Sequence, residues 1–338
     1  MVSVGVLGAT GAVGQRFVQL LADHPYFDLT VLTASGRSAG KKYRDAVNWR
    51  LDVPLPESAG DIIVAETKTE CLKNADIVFS ALPADLATTI ETDCAKAGIG
   101  VCSNASSHRM DPDVPLVVPE VNADHLRMIE LQRDAGNDGF IVTNPNCSTI
   151  MLTVSLAPIR NFHFTDLRVA TMQAISGAGF EGIPAMSIFD NVVPYIGNEE
   201  EKMERETLKI MGTFDGSEIV NAPFSVSASC NRVPVIDGHT MAVWLDIKEP
   251  VENVAKAFQS WRCPIGDLPT LPEKSVDFMV QQDRPQPRLD RMKGKGMTVS
   301  VGRLRPGIRY IAMGHNTIRG AAGASILNAE LICDRGYI

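Results

Sequence analysis

Val2-Ser3-Val4-Gly5-Val6-Leu7-Gly8-Ala9-Thr10-Gly11-Ala12-Val13-Gly14 is the stretch of this sequence that most constrains its architecture. An apolar run rich in β-branched residues gives way to glycines at 8, 11 and 14. Then comes Gln15-Arg16-Phe17-Val18-Gln19-Leu20-Leu21-Ala22, where Phe17, Leu20 and Leu21 keep helical spacing. The order is strand, glycine turn, helix. Glycine permits a tight turn and close backbone approach, and a helix N-terminus offers N–H groups and a positive dipole end to a pyrophosphate. The stretch predicts a dinucleotide-binding βαβ unit.

Further along, Leu29 to Leu32 has the length of a buried parallel strand, and Ala75 to Leu82 is another apolar run. A helical stretch follows from about Asp85 to Ala97, and Gly100 to Cys102 begins a further strand. Alternating strands and helices predict an α/β fold, with a Rossmann-type doubly wound parallel sheet in roughly the first 145 residues. The end of the second strand selects the dinucleotide. NAD binding places a carboxylate there for the ribose 2′-OH, whereas a 2′-phosphate needs cations and hydroxyls. Ser35-Gly36-Arg37-Ser38, followed by Lys41 and Lys42, has no acid and favours NADP; a solvated basic loop is the plainer reading.

Beyond residue 147 the pattern changes. Leu167 to Ile175, Met241 to Ile247, Thr298 to Leu304 and Ile308 to Met313 alternate in hydrophobicity, as expected of a mostly antiparallel sheet in an α+β catalytic and dimerisation domain. A last helical stretch, Ala321 to Cys333, is expected to return to the first domain. The expected division is residues 1–146, completed by 316–338, for the dinucleotide, and residues 147–315 for catalysis and dimerisation.

Composition sets the limits. The 338 residues carry a formal charge of −8, with 45% hydrophobic and 21% charged residues. That is ample core material for two domains and no basic footprint for nucleic acid or an anionic membrane. No apolar stretch is long enough to span a bilayer, and the N-terminal residues lack a signal-peptide pattern, so a cytoplasmic location is expected. The seven cysteines are scattered, without CxxC pairs or a Cys/His cluster, so neither a disulfide framework nor a metal site is expected.

One cysteine stands apart. In Thr143-Asn144-Pro145-Asn146-Cys147-Ser148-Thr149-Ile150 the thiol precedes a helix start, where unpaired N–H groups and the dipole favour thiolate. Burial as a small hydrophobe is the competing reading. A nucleophilic thiol beside a nicotinamide domain suggests attack on an aldehyde, hydride transfer and a thioester. Such a site needs a proton-handling group, oxyanion donors and a way of binding whatever cleaves the thioester. Asn231-Arg232-Val233-Pro234-Val235-Ile236-Asp237-Gly238-His239 supplies Arg232 and, of six histidines, the one with the best context.

The glycine turn, Asn144 to Thr149, Gln173 in Met172-Gln173-Ala174-Ile175-Ser176-Gly177-Ala178-Gly179, and Arg232 to His239 together resemble the aspartate-semialdehyde dehydrogenase family, essentially end to end. Thr33 to Tyr43 resembles its archaeal and fungal branch. The resemblance implies Cys147 as thioester nucleophile, His239 as acid/base and Gln173 orienting substrate. It implies Asn146 at the substrate, Arg232 on its α-carboxylate, Glu199 on its ammonium, and Lys202 and Arg109 on phosphate. Glu200 and Glu201 adjoin Glu199, and the choice among the three stays open. For NADP it implies Gly8 and Thr10, Gly11, Ala12 and Val13 at the pyrophosphate, Ser35, Arg37 and Ser38 at the ribose phosphate, Ser80 in the cofactor site, and Ser176, Gly177 and Asn328 near the nicotinamide.

The implied reaction is NADPH-dependent reductive dephosphorylation of 4-phospho-L-aspartate to L-aspartate 4-semialdehyde and phosphate, within threonine, methionine and lysine synthesis. The implied assembly is a homodimer or homotetramer. Three other readings remain at this point. Malonyl-CoA reductase on the same scaffold would have less use for Glu199. N-acetyl-glutamyl-phosphate reductase usually has a different cysteine context. A non-catalytic NADP-binding sensor would not need the thiol, Gln, Arg and His together.

Overall fold

The computed structural model describes residues 1–338 and is built on two six-stranded sheets. The first contains β1 (Val2–Leu7), β2 (Phe27–Ala34), β3 (Ala65–Glu66), β4 (Ile77–Ser80), β5 (Gly100–Ser103) and β6 (Phe140–Thr143). Their order is β3-β2-β1-β4-β5-β6 and every pairing is parallel. This is the doubly wound sheet expected from the opening stretch. Chain direction through the sheet reverses between β1 and β4, where Leu7 pairs with Ser80, and a ligand crevice forms outside the carboxyl ends of such strands.

The glycines explain the close packing at that point. Gly8 has φ +77°, and a Cβ on Gly14 would lie 2.2 Å from the Gly8 carbonyl oxygen. Only a glycine lets helix Ala12–Leu21 approach the turn this closely.

The second half begins with β7 (Phe164–Gln173), followed by a small hairpin of β8 (Thr213–Phe214) and β9 (Ile219–Val220). Then come β10 (Ser225–Arg232), β11 (His239–Ile247), β12 (Val276–Met279), β13 (Val299–Arg305) and β14 (Arg309–Gly314). The large sheet runs β10-β7-β11-β14-β13-β12. Its three central pairings are antiparallel and its outer pairs, β10/β7 and β12/β13, are parallel. The sheet is therefore mixed, with an antiparallel centre. Strands β10 and β12 escape a sequence reading: Ser225-Val226-Ser227-Ala228-Ser229-Cys230-Asn231-Arg232 has little apolar bulk, and its pairing with β7 supplies what its composition does not.

Two large apolar cores match the two sheets. Val4, Phe17, Phe79 and Phe140 belong to the first, and Leu167, Val243, Val301 and Tyr310 to the second. Helix Cys147–Leu156 gives Ile150 to Leu152, Val154 and Leu156 to the second core. The carboxyl-terminal helix, Gly323–Asp334, puts Ile326, Leu327, Leu331 and Ile332 into the first core and Ala324 into the second. It is buried on almost every side, which explains its lack of an amphipathic pattern. No helix is long and apolar enough to cross a membrane.

Candidate active site

Cys147 is the first residue of its helix. Asn146 caps that helix, its Oδ1 accepting from the N–H groups of Ser148 at 2.9 Å and Thr149 at 3.2 Å. The Cys147 Sγ lies 3.3 Å from Nε2 of His239, the first residue of β11. The other ring nitrogen, Nδ1, accepts the backbone N–H of Ala174 at 3.0 Å. Ala174 follows the end of β7, and its carbonyl accepts Arg232 Nη1 at 2.8 Å. One peptide residue thus orients both the histidine and the guanidinium.

The substrate side is a closed network of buried polar groups. Glu199 Oε1 accepts Asn146 Nδ2 at 2.9 Å and Gln173 Nε2 at 3.0 Å. The three adjoining acids separate cleanly. Glu200 accepts the Cys230 N–H at 2.9 Å, Glu201 faces solvent, and Glu199 alone reaches the cysteine cluster. Arg109 is buried and tied to Glu206 at 2.9 Å and to the Asn104 carbonyl at 2.8 Å. The Nε atoms of Arg109 and Arg232 are buried without a protein partner, leaving a free donor on each cation. Lys202 is half-buried on the Glu199 helix and makes none of these contacts.

Electrostatics at the thiol differ from the expectation set by a helix N-terminus. Burial, then the Glu199 carboxylate, pushes the Cys147 thiol up to about 12. Arg232, Arg109 and the Ser148 N–H pull it down without prevailing. Cys147 is partly exposed, whereas Cys102 is sealed in the first core. Burial pushes His239 down to about 3, and Arg232 and His315 act in the same direction. In the protein alone the pair is therefore thiol and neutral imidazole.

On the dinucleotide side, the N–H groups of Ala12 and Val13 at the helix start have no acceptor within the protein. That is the donor set a pyrophosphate requires. Thr10 lies in the same turn, and the buried Ser80 Oγ at the crevice has no partner. Ser35 and Arg37 are exposed in a turn closed by the Ser38 N–H on the Ser35 carbonyl, 2.9 Å. Strand β3 brings an acid, Glu66, near Gly36, but Lys68 pairs with its carboxylate at 2.7 Å. Ser176 Oγ accepts Asn316 Nδ2 at 2.8 Å. A Cβ on Gly177 would meet Arg232 Nη1 at 2.6 Å, so the glycine loop lies directly over the cysteine cluster. Asn328 turns inward, 3.4 Å from Asn144 Oδ1.

Three contributors were not read from sequence. Glu206 Oε2 accepts the Asn146 N–H at 2.6 Å while Oε1 holds Arg109. It lies two helical turns beyond Glu199, and that seven-residue spacing was its only signal. Asn316 joins Ser176 to the Gly238 N–H. Gly320, in a π-helical turn over Ile318–Ala322, lies so close that a Cβ would meet the Cys147 Cβ at 2.7 Å.

A parallel-sheet crevice with free helix N–H groups, next to a Cys–His pair flanked by two arginines, is the arrangement of a dinucleotide-dependent oxidoreductase. The chain matches the semialdehyde dehydrogenase NAD binding domain over residues 3–129 and the semialdehyde dehydrogenase dimerisation domain over residues 156–319. It is 55% identical to an aspartate-semialdehyde dehydrogenase of Archaeoglobus fulgidus, covering 98% of this chain and 97% of the relative. It is 47% identical to that of Saccharomyces cerevisiae, covering 99% and 98%. The crystal structure of the Candida albicans aspartate semialdehyde dehydrogenase with NADP superposes with a TM-score of 0.91 at 43% identity, over 100% of both chains. The chain belongs to the aspartate-semialdehyde dehydrogenase family.

Proposed function

We propose that this enzyme carries out the NADPH-dependent reductive dephosphorylation of 4-phospho-L-aspartate to L-aspartate 4-semialdehyde and phosphate, reversibly, through a thioester on Cys147. The observation that carries this reading is the Cys147–His239 pair at 3.3 Å, set between two buried arginines that each keep a free Nε donor. Arg232 presents a planar fork to the substrate α-carboxylate, and Arg109, with Lys202, meets the phosphate. Glu199 Oε1 is committed to Asn146 and Gln173, and its second oxygen is available to the substrate ammonium. Gln173 and Asn146 hold that carboxylate and, through it, the substrate.

When bound, NADPH would supply the hydride and NADP⁺ would accept it in the reverse direction. Gly8, Thr10, Gly11, Ala12 and Val13 would hold its pyrophosphate, Ser35, Arg37 and Ser38 its ribose phosphate. Ser80, Ser176, Gly177 and Asn328 would line the path toward the nicotinamide. The exposed Arg37 turn and the pairing of Glu66 with Lys68 support a 2′-phosphate. Residues 1–146 with 316–338 would form the NADP-binding domain and 147–315 the catalytic and dimerisation domain. The open face of the second sheet, with Arg168, Ser227 and Trp244 exposed, suits a homodimer or homotetramer. The reaction would take place in the cytoplasm, early in threonine, methionine and lysine synthesis.

The ammonium partner Glu199 favours this reading over malonyl-CoA reduction. The test follows NADPH formation from aspartate semialdehyde with phosphate, with coenzyme A in its place, and with neither. Phosphate-dependent turnover supports the proposal. Turnover that ignores phosphate or requires coenzyme A rejects it.

A further inference from the structure

Resting on the reading of Arg109 as a phosphate-binding cation, we propose that Lys209 is the positioning residue of the phosphate subsite. It ties the loop carrying Arg109 to the helix carrying Glu199, and so sets where phosphate meets the thioester without touching phosphate itself. Lys209 is buried, and its Nζ donates to the backbone carbonyls of Arg109, Asp111 and Val114, each at 2.9 Å. An ammonium has three donors and no acceptor, so all three are spent on one loop. Burial draws Lys209 down to about 8, while Asp111, Asp113 and Glu206 hold it up. A buried charge committed wholly to backbone carbonyls does no chemistry of its own and fixes a shape.

That loop has little else to fix it. Residues 104–115, between β5 and the short helix Pro119–Asn122, form no helix or strand, and buried carbonyls of irregular backbone must find partners elsewhere. Helix Glu199–Ile210 holds Arg109 at both ends. Lys209 takes its main-chain carbonyl, and Glu206, one turn earlier on the same face, takes its guanidinium at 2.9 Å. The second Glu206 oxygen accepts the N–H of Asn146, next to Cys147, at 2.6 Å. Met203 and Ile210 of this helix are sealed in the second core. One rigid helix thus sets the spacing between the thiol and Arg109.

The two halves of the reaction depend on this clamp unequally. Arg232 lies on β10 and is held by the Ala174 carbonyl, apart from the Lys209 loop, so aldehyde binding and hydride transfer do not draw on it. Phosphate does. Its oxygen attacks the acyl carbon, the C–S bond breaks and thiolate departs, and a misplacement of about 1 Å in such a step costs up to about 10²-fold.

The test separates the halves. Cys147 is loaded with NADP and less than one equivalent of aspartate semialdehyde, phosphate omitted, and the adduct is then discharged by phosphate or by neutral hydroxylamine, with loss of adduct mass as the readout. Lys209→Met, which keeps the length and removes the ammonium, should match wild type in the NADPH burst and in discharge by hydroxylamine. Its discharge by phosphate should slow by about tenfold or more. In an Arg109→Ala background the same change should slow phosphate discharge no further, because a residue acting through Arg109 then has nothing to position. Unchanged phosphate discharge in Lys209→Met overturns the proposal, as does equal slowing with both nucleophiles, or a full Lys209 effect without Arg109. Should Lys209→Met not fold, Lys209→Gln, whose amide still offers two N–H groups to the carbonyls, faces the same comparisons. A wild-type enzyme that forms no adduct, or whose adduct ignores phosphate, rejects the reaction itself and with it the subsite, before any variant is compared.

Discussion

The dinucleotide crevice and the cysteine cluster are built on opposite plans. The crevice is made of backbone and of missing side chains: Gly8 turned to positive φ, Gly14 with no room for a Cβ, and N–H groups of Ala12 and Val13 left open. The cluster is made of long polar side chains from five places in the chain, each buried and each held by another. Asn146 touches Glu199 and Glu206, Gln173 touches Glu199, and Arg109 touches Glu206. A backbone site tolerates many changes of side chain but no added bulk at its glycines. A side-chain network tolerates almost no change of charge, because each member leaves a buried partner exposed to the loss.

The largest effect is expected at Glu206. Glu206→Gln leaves the buried Arg109 without its counter-charge, which should cost about 3–4 kcal/mol of stability by the scale of severed buried ion pairs. Denaturant unfolding measures it, and a loss under 1 kcal/mol would show that the cluster is not a cooperative network. At the crevice, Gly14→Ala should cost about 2–3 kcal/mol, since the new methyl meets backbone atoms that cannot rotate away. It should weaken NADP binding while sparing the Cys147–His239 pair. By contrast Arg37→Ala, in an exposed turn, should leave stability unchanged and lower the preference for NADP over NAD by about tenfold, on the scale of one charged hydrogen bond.

Acid should act on the cluster side and at its edges. His239, lowered to about 3, and His125 and His315, each lowered to about 4, are neutral when folded and titrate near 6.5 when unfolded. The unfolded chain therefore binds more protons as pH falls below 6.5, and stability should drop through that window and keep dropping toward pH 4. At pH 5 the His239 share is about 2 kcal/mol, so His239→Gln should show a shallower acid slope by that amount in melts followed against pH.

The same contrast explains what could be read from sequence. A backbone site is contiguous, so Val2 to Gly14 announced the sheet, the turn and the crevice together. Cys147 could be picked out as the proposed nucleophile because its helix cap, Asn146, adjoins it. Glu206 was not, because its partners lie 60 and 97 residues away and an acid in an acidic helix looks like surface. The choice of Glu199 needed the helix phase relative to Asn146 and Gln173, which only packing fixes. The helix dipole at Cys147 was read correctly in direction and overweighted in size, because sequence shows neither burial nor the Glu199 carboxylate. Strand β10 was missed since its small polar residues owe their order to β7.

The proposed reaction requires crevice and cluster to meet at one thiol that carries the acyl group. Mixing the enzyme with NADP and aspartate semialdehyde, without phosphate, tests it by rapid-mixing absorbance and intact-protein mass. The expected result is a burst of one NADPH per subunit, an acyl adduct confined to the peptide containing Cys147, and its discharge when phosphate is added. A missing burst, or an adduct that persists in Cys147→Ala, would contradict it.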